Sequence, residues 1–72
     1  MYKLYTFNST HQALFMEKIL NDNKILSKMI PTPRKLSASC GFALRISLDD
    51  FEKTSVLIVE NEITISGVHD FD

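Results

Sequence analysis

The stretch from Ile30 to Gly41 constrains this chain more than any other. It holds both prolines, one of the two glycines and the only cysteine. A proline fixes φ and lacks an amide N–H, so Pro31-Thr32-Pro33 is expected to be a stiff, extended segment that leaves a strand. The stretch therefore predicts a loop that separates the elements before it from those after it.

Length and composition limit what the rest of the chain can be. With 72 residues, 44% of them hydrophobic and 24% charged, the chain is expected to form one small domain over residues 1–72 with a thin core. A net charge of -1 gives no support for a nucleic-acid-binding surface. A single cysteine cannot form an internal disulfide, and no apolar run has the length of a signal peptide or a membrane span. The expected location is the cytoplasm, away from the membrane.

Before the loop, hydrophobic spacing predicts a strand, a helix and a second strand. The first strand covers Tyr2 to Phe7, and Ser9-Thr10-His11-Gln12 has the form of a capping box that opens a helix. This helix runs from about Thr10 to Asn21 or Asp22. Its buried stripe is predicted at Ala13, Met16, Ile19 and Leu20, widened by Leu14 and Phe15. The second strand covers Ile25 to Ile30.

After the loop, the pattern predicts a strand, a helix and a last strand. Gly41 to Ser47 alternates, with Phe42, Leu44 and Ile46 on one face. Ser47-Leu48-Asp49-Asp50 resembles another capping box and predicts a helix from Leu48 to about Glu60. Within it, residues 54–59 are rich in β-branched side chains that equally suit a strand; Leu48, Phe51, Ser55, Ile58 and Val59 fit one helical face. The last strand is predicted at Ile63 to Val68, followed by an acidic tail from His69 to Asp72.

The predicted order, strand-helix-strand-strand-helix-strand, favours an α+β fold. Its compact arrangement is one four-stranded antiparallel sheet with both helices on one face, as in a ferredoxin-like βαββαβ domain. A sheet this small has open edges, so the pairing of two chains into a homo-oligomer is a further expectation.

The loop itself suggests thiol chemistry at Cys40. Ser37, Ser39 and Gly41 offer small side chains and converging N–H groups around that thiol, and Arg34 adds positive charge. Cations and N–H donors stabilise the thiolate form of cysteine. Arg45 is a second candidate for binding an anion, but on a strand it is distant from Cys40 and is expected to contact a partner instead.

Residues around the start of the first helix and residues of this loop also resemble a known family. Phe7-Asn8-Ser9-Thr10-His11-Gln12-Ala13-Leu14, and the block from Ile30 through Pro33-Arg34 and Ser37-Ala38-Ser39-Cys40-Gly41 to Arg45, resemble the putative selenium/sulfur carrier protein-like family of small bacterial proteins. Members often have a glycine between the first helix and the second strand, where this chain has Asn23-Lys24.

The resemblance implies a role and partners. Cys40 would hold sulfur or selenium as a persulfide or related species, with no catalytic turnover and no cofactor. A cysteine desulfurase would be the donor, and a sulfur- or selenium-using enzyme the acceptor.

Other functions stay open at this point. Free cysteine is among the most buried residue types, so Cys40 could be an inert packing residue in a non-catalytic interaction or regulatory module. A redox enzyme would need a resolving cysteine from a partner. One cysteine with His11 and His69 does not form a zinc spacing, so no metal is expected.

Overall fold

A computed structural model describes residues 1–36 and 41–71 of the chain. A short 3-10 helix, Leu48–Asp50, leads into the second α-helix. The strands and α-helices, in chain order, are β1 Tyr2–Thr6, α1 Thr10–Asp22, β2 Ser27–Pro31, β3 Phe42–Ser47, α2 Phe51–Glu60 and β4 Gly67–Phe71.

The strands form one antiparallel sheet in the order β2-β3-β1-β4. With both helices packed on one face, this is the predicted α+β, ferredoxin-like arrangement. The register pairs Tyr5 of β1 with Leu44 of β3, and Leu4 with both Arg45 and His69. Because paired residues share a face, Tyr5 and Leu44 point to the helices, whereas Leu4, Arg45 and His69 lie on the other face, called here the outer face.

The core lies between the sheet and the helices. Both helices contribute to it, α1 through a fully buried stripe and α2 through half-buried side chains. The buried cluster consists of Tyr5, Phe7, Ala13, Met16, Leu20, Ile25, Leu44, Ile46 and Ile63. Burial of this apolar surface is the main stabilising contribution to a domain of this size.

The predicted buried stripes of the two helices are wrong for several apolar residues at their edges, which are exposed. Leu14 and Phe15 do not widen the buried stripe of α1, since they are 53% and 39% exposed. Val59 is 77% exposed and Leu48 is 41% exposed, while Thr54 is fully buried. A narrow sheet covers only the central stripe of each helix, so flanking apolar positions stay in solvent.

Ser9 caps α1 as predicted, but Ser47 caps the 3-10 helix Leu48–Asp50, and α2 itself begins at Phe51 instead of Leu48 with Asp50 at its N-cap. The Gln12 N–H donates to Ser9 Oγ at 3.4 Å, and the Asp49 N–H donates to Ser47 Oγ at 3.3 Å. The Gln12 side chain does not reach back to Ser9; its Oε1 accepts from the Thr64 N–H at 3.1 Å. Gln12 thereby ties the start of α1 to the segment that follows α2.

Both helices also end in the same way, in a Schellman motif. After α1, the Ile25 N–H donates to Leu20 O at 2.9 Å and the Lys24 N–H to Asn21 O at 3.1 Å. Lys24 has φ of 60°, a left-handed conformation that favours glycine. This is the place where the resemblance expected glycine.

The last strand differs from its prediction. It begins at Gly67, and residues 69–71, expected in a tail, belong to it. Ile63 is instead the buried residue that closes the Schellman motif of α2, with its N–H donating to Ile58 O at 3.0 Å. The Ser66 N–H donates to Thr6 O at 2.8 Å, and β4 then pairs with the whole of β1, from Gly67 opposite Thr6 to Phe71 opposite Tyr2. The alternation of Ile63 and Ile65 reflects packing against the core, not a strand.

Smaller corrections concern three strand limits. β1 ends at Thr6, and Phe7 is a buried core residue just beyond it. β2 begins at Ser27 instead of Ile25 and includes Pro31, while β3 begins at Phe42 instead of Gly41. Leu26, which was predicted to lie in β2, is 87% exposed before the strand.

Candidate functional site

The loop between β2 and β3 is closed at its base by one backbone hydrogen bond. The Thr32 N–H donates to Gly41 O at 2.9 Å, which extends the β2–β3 ladder by one residue pair. The candidate residues Ser37, Ser39 and Cys40 lie outside the described residues. The hydrogen bond shows that both ends of the loop leave the sheet at one place.

The first half of the loop is a tight turn that presents two cations. The Leu36 N–H donates to Pro33 O at 3.0 Å, and Arg34 and Lys35, at the corner of the turn, are exposed. Proline at the start of such a turn fixes the backbone. Residues 33–36 line a cavity of about 520 Å³ together with Asp70 and Phe71 of β4. The turn therefore lies near the end of the strand at the far edge of the sheet.

A carboxylate in the wall of this cavity already has a partner. Lys3 Nζ donates to Asp70 Oδ1 at 2.6 Å, and this hydrogen bond, with the charge of the ammonium, lowers the pKa of Asp70. The same ammonium lies 4.8 Å from the centre of the Phe51 ring. Asp70 therefore pairs with Lys3. Neither Arg34 nor Lys35 forms an ion pair with Asp70.

Arg45 lies in the half of β3 that is farther from the base of the loop. Four residues separate it from Gly41, which on an extended strand is about 13 Å. Its guanidinium stacks on the Tyr2 ring, 4.2 Å from the centroid, on the outer face. The described geometry therefore does not bring Arg45 to the base of the loop.

Of the two glycines, one is required by its neighbours. A Cβ at Gly67 would fall 2.9 Å from His69 Nε2 and 3.2 Å from Thr6 Oγ1, so the missing side chain leaves room for the imidazole. A Cβ at Gly41 would meet no described atom within 4 Å. Packing against the described residues therefore does not explain a glycine at position 41.

Sequence analysis missed two polar residues of the outer face. Lys28, which it did not single out, lies directly across from Arg45 in the β2–β3 register. His69, which it placed in a tail, lies in β4 opposite Leu4. Neither relation has a local signal, because both depend on which residues face each other across strands.

The described residues contain neither a metal-binding cluster nor a membrane-spanning helix. Residues 1–36 and 41–71 contain no group of three or more His, Cys, Asp or Glu side chains placed to hold a metal ion. In the same part of the chain, neither helix has the length and apolar character needed to cross a membrane.

The fold and the loop define a small ferredoxin-like domain with a cationic loop, closed at its base, between β2 and β3. The model of the family "Putative Se/S carrier protein-like" matches residues 2–70. The chain therefore belongs to this family, as its loop residues predicted. No curated protein and no solved structure matches it.

Proposed function

We propose that this protein carries sulfur or selenium on Cys40 and transfers it between partner proteins. The observation that supports the proposal most strongly is the family match over residues 2–70, since a carrier needs a nucleophilic thiol and the chain has one cysteine. The hydrogen bond between Thr32 and Gly41 adds a structural argument, because it fixes both ends of the loop that contains Cys40.

The proposed transfer is a thiol exchange. The Cys40 thiolate attacks the outer sulfur of a donor persulfide, R–S–SH, forming a new S–S bond as the donor's S–S bond breaks. The donor leaves as the thiolate R–S⁻, and Cys40 becomes Cys40–S–SH. An acceptor then takes the outer sulfur by the same exchange, and Cys40 returns to its thiolate. A cysteine desulfurase is the proposed class of donor, and a sulfur- or selenium-using enzyme the acceptor.

The loop would favour the thiolate through its charge and N–H groups. Arg34 and Lys35 are exposed cations on the same loop, six and five residues before Cys40 in sequence. Ser37, Ser39 and Gly41 would supply hydroxyl and backbone N–H donors to the anion. Arg45 is assigned to partner contact.

Sulfur loading tests the proposal directly. The purified protein is incubated with a cysteine desulfurase and cysteine, and sulfane sulfur is measured by cyanolysis and intact mass. Wild type should gain one sulfur atom that a thiol reductant removes. The Cys40→Ser variant should gain none, and equal loading of that variant would refute a carrier role for Cys40.

The pH dependence of Cys40 alkylation tests activation of the thiol. We expect an apparent pKa below the model value of about 8.5. Arg34→Gln should raise it, whereas Lys53→Gln, which removes a distant exposed cation on α2, should leave it unchanged. Slow labelling of the native protein relative to the unfolded protein would favour an interaction module with an inert cysteine.

A further inference from the structure

Two cations face each other on the outer face of the sheet. Lys28 of β2 and Arg45 of β3 are directly paired in the antiparallel register, so their side chains leave the same face at neighbouring positions. Like charges opposite each other across a ladder destabilise a sheet. The pair is a local excess of positive charge in a chain whose net charge is -1.

Neither cation is neutralised within the described residues. The ion pairs found there join Lys3 to Asp70 and Lys18 to Asp22, and neither involves Lys28 or Arg45. Arg45 is held by stacking on Tyr2, which leaves the edge of the guanidinium plane available to a carboxylate. A groove of about 230 Å³ beside the pair is lined by Tyr2, Leu26, Ser27 and others, with no acidic residue among them.

The neighbouring backbone of β2 is an open edge. In the described sheet, β2 is paired on one side only, with β3. Since Thr32 forms a hydrogen-bonded pair with Gly41, alternation along the ladder directs the backbone groups of Lys28 and Ile30 toward β3. The N–H and C=O groups of Ser27 and Met29 therefore point outward. Pro31 has no N–H and limits this edge to a short segment.

We propose that the β2 edge docks an extended acidic segment of a partner protein. The segment would add as a short strand, bonding to the outward backbone groups of Ser27 and Met29. Its carboxylates, at alternate positions on the outer face, would pair with Lys28 and Arg45. The exposed side chain of Leu26, just before the strand, would contact an apolar residue of the segment.

The positive charge of this surface favours an acidic segment over a second copy of the chain. Pairing of two copies through β2 would bring two such cationic pairs into one short interface, which like-charge repulsion disfavours. An acidic segment neutralises both cations and also removes their mutual repulsion. The inference goes beyond the carrier role, because it requires no chemistry at Cys40.

Binding of designed peptides to the full chain tests the proposal. The probes are a short peptide that alternates valine with glutamate and a matched peptide that alternates valine with lysine. In amide NMR spectra, the glutamate peptide should shift Ser27 and Met29 most. Its affinity should fall as salt is added. Lys28→Glu and Arg45→Glu should each weaken binding about tenfold or more.

Matched variants separate this surface from overall charge and from the carrier function. Lys53→Glu makes the same charge change on α2 and should leave the affinity unchanged within about twofold at moderate salt. Cys40→Ser should bind the peptide as wild type does, whatever its sulfur loading shows. Thermal unfolding of each variant checks its fold. Equal binding of the lysine peptide, shifts confined to the helices, or concentration-dependent self-association through β2 without peptide would each overturn the proposal.

Discussion

The two α-helices end in the same three-residue pattern, an asparagine, a charged residue and an isoleucine. Asn23-Lys24-Ile25 follows α1, and Asn61-Glu62-Ile63 follows α2. In each, the asparagine Nδ2 donates to a carbonyl four residues back, Ile19 O at 2.8 Å and Leu57 O at 2.9 Å. The middle residue is left-handed in both, with φ of 60° and 52°. The isoleucine then enters the core in both, at 5% and 7% exposure.

The chain continues differently after the two motifs. β2 begins two residues after Ile25, whereas β4 begins four residues after Ile63. Two of the residues before β4 form hydrogen bonds to distant parts of the chain. The Thr64 N–H donates to Gln12 Oε1, and the Ser66 N–H donates to Thr6 O. Local sequence therefore sets where a helix ends, but contacts with distant residues set where the next strand begins.

Truncation of the two isoleucines should have the largest effect. Ile25→Ala and Ile63→Ala should each lower the free energy of unfolding by about 3 kcal/mol, because each leaves a cavity in the core and removes the apolar contact of a Schellman motif. Urea denaturation measures both. Exposed Leu26→Ala is the control and should change stability by less than about 0.5 kcal/mol. A small effect at only one isoleucine would show that the two motifs are not equivalent.

Removal of the asparagine side chains should have a smaller and unequal effect. We expect Asn61→Ala to lower stability by about 1 kcal/mol and Asn23→Ala by about 0.5 kcal/mol, since Asn61 is half-buried and Asn23 is exposed. Thermal unfolding compares the two variants. Asn8→Ala, at an exposed position outside both motifs, is the reference, and the reverse order of effects would contradict the burial argument.

Glycine at the left-handed positions should stabilise the protein. Lys24→Gly should raise the free energy of unfolding by about 0.5 kcal/mol, because glycine adopts this conformation without a Cβ clash. Glu62→Gly should gain more, since it also removes a carboxylate from the negative end of a helix dipole. Urea denaturation again measures the change. Lys53→Gly, inside α2, should instead lose about 1 kcal/mol.

The charge difference between the motifs should give the smallest effect. Glu62→Lys places a cation where α1 already has Lys24, and should stabilise the protein by about 0.5 kcal/mol at low salt. Added salt should reduce the gain by screening. The isosteric Glu62→Gln should give about half of the gain in stability expected for Glu62→Lys. A gain that does not depend on salt would point to conformational preference at position 62 instead of the dipole.

Particular residues show how much of this protein the sequence determined. Ser9 located the start of α1, Ser47 located the 3-10 helix that leads into α2, and the prolines located the loop, because caps and proline act on adjacent backbone. The alternation of β3 correctly placed Leu44 and Ile46 on one face, which the structure shows to be the face under the helices. The same alternation was misleading at Ile63 and Ile65, where one buried and one partly buried side chain in an irregular segment have the spacing of a strand.

Only part of the candidate site could likewise be predicted from the sequence. The loop and the proposed thiol could be identified from residues 30–45, and the family from these residues together with residues 7–14, since residue identity and order are local properties. The pairing of Lys28 with Arg45, the stacking of Arg45 on Tyr2 and the packing of His69 over Gly67 could not. These relations join residues far apart in the chain, and a shift of register by one residue would send each side chain to the other face. Register is decided only when the strands and helices pack together. This is why the tertiary structure was needed to reveal the pair of cations, Lys28 and Arg45, beside the β2 edge.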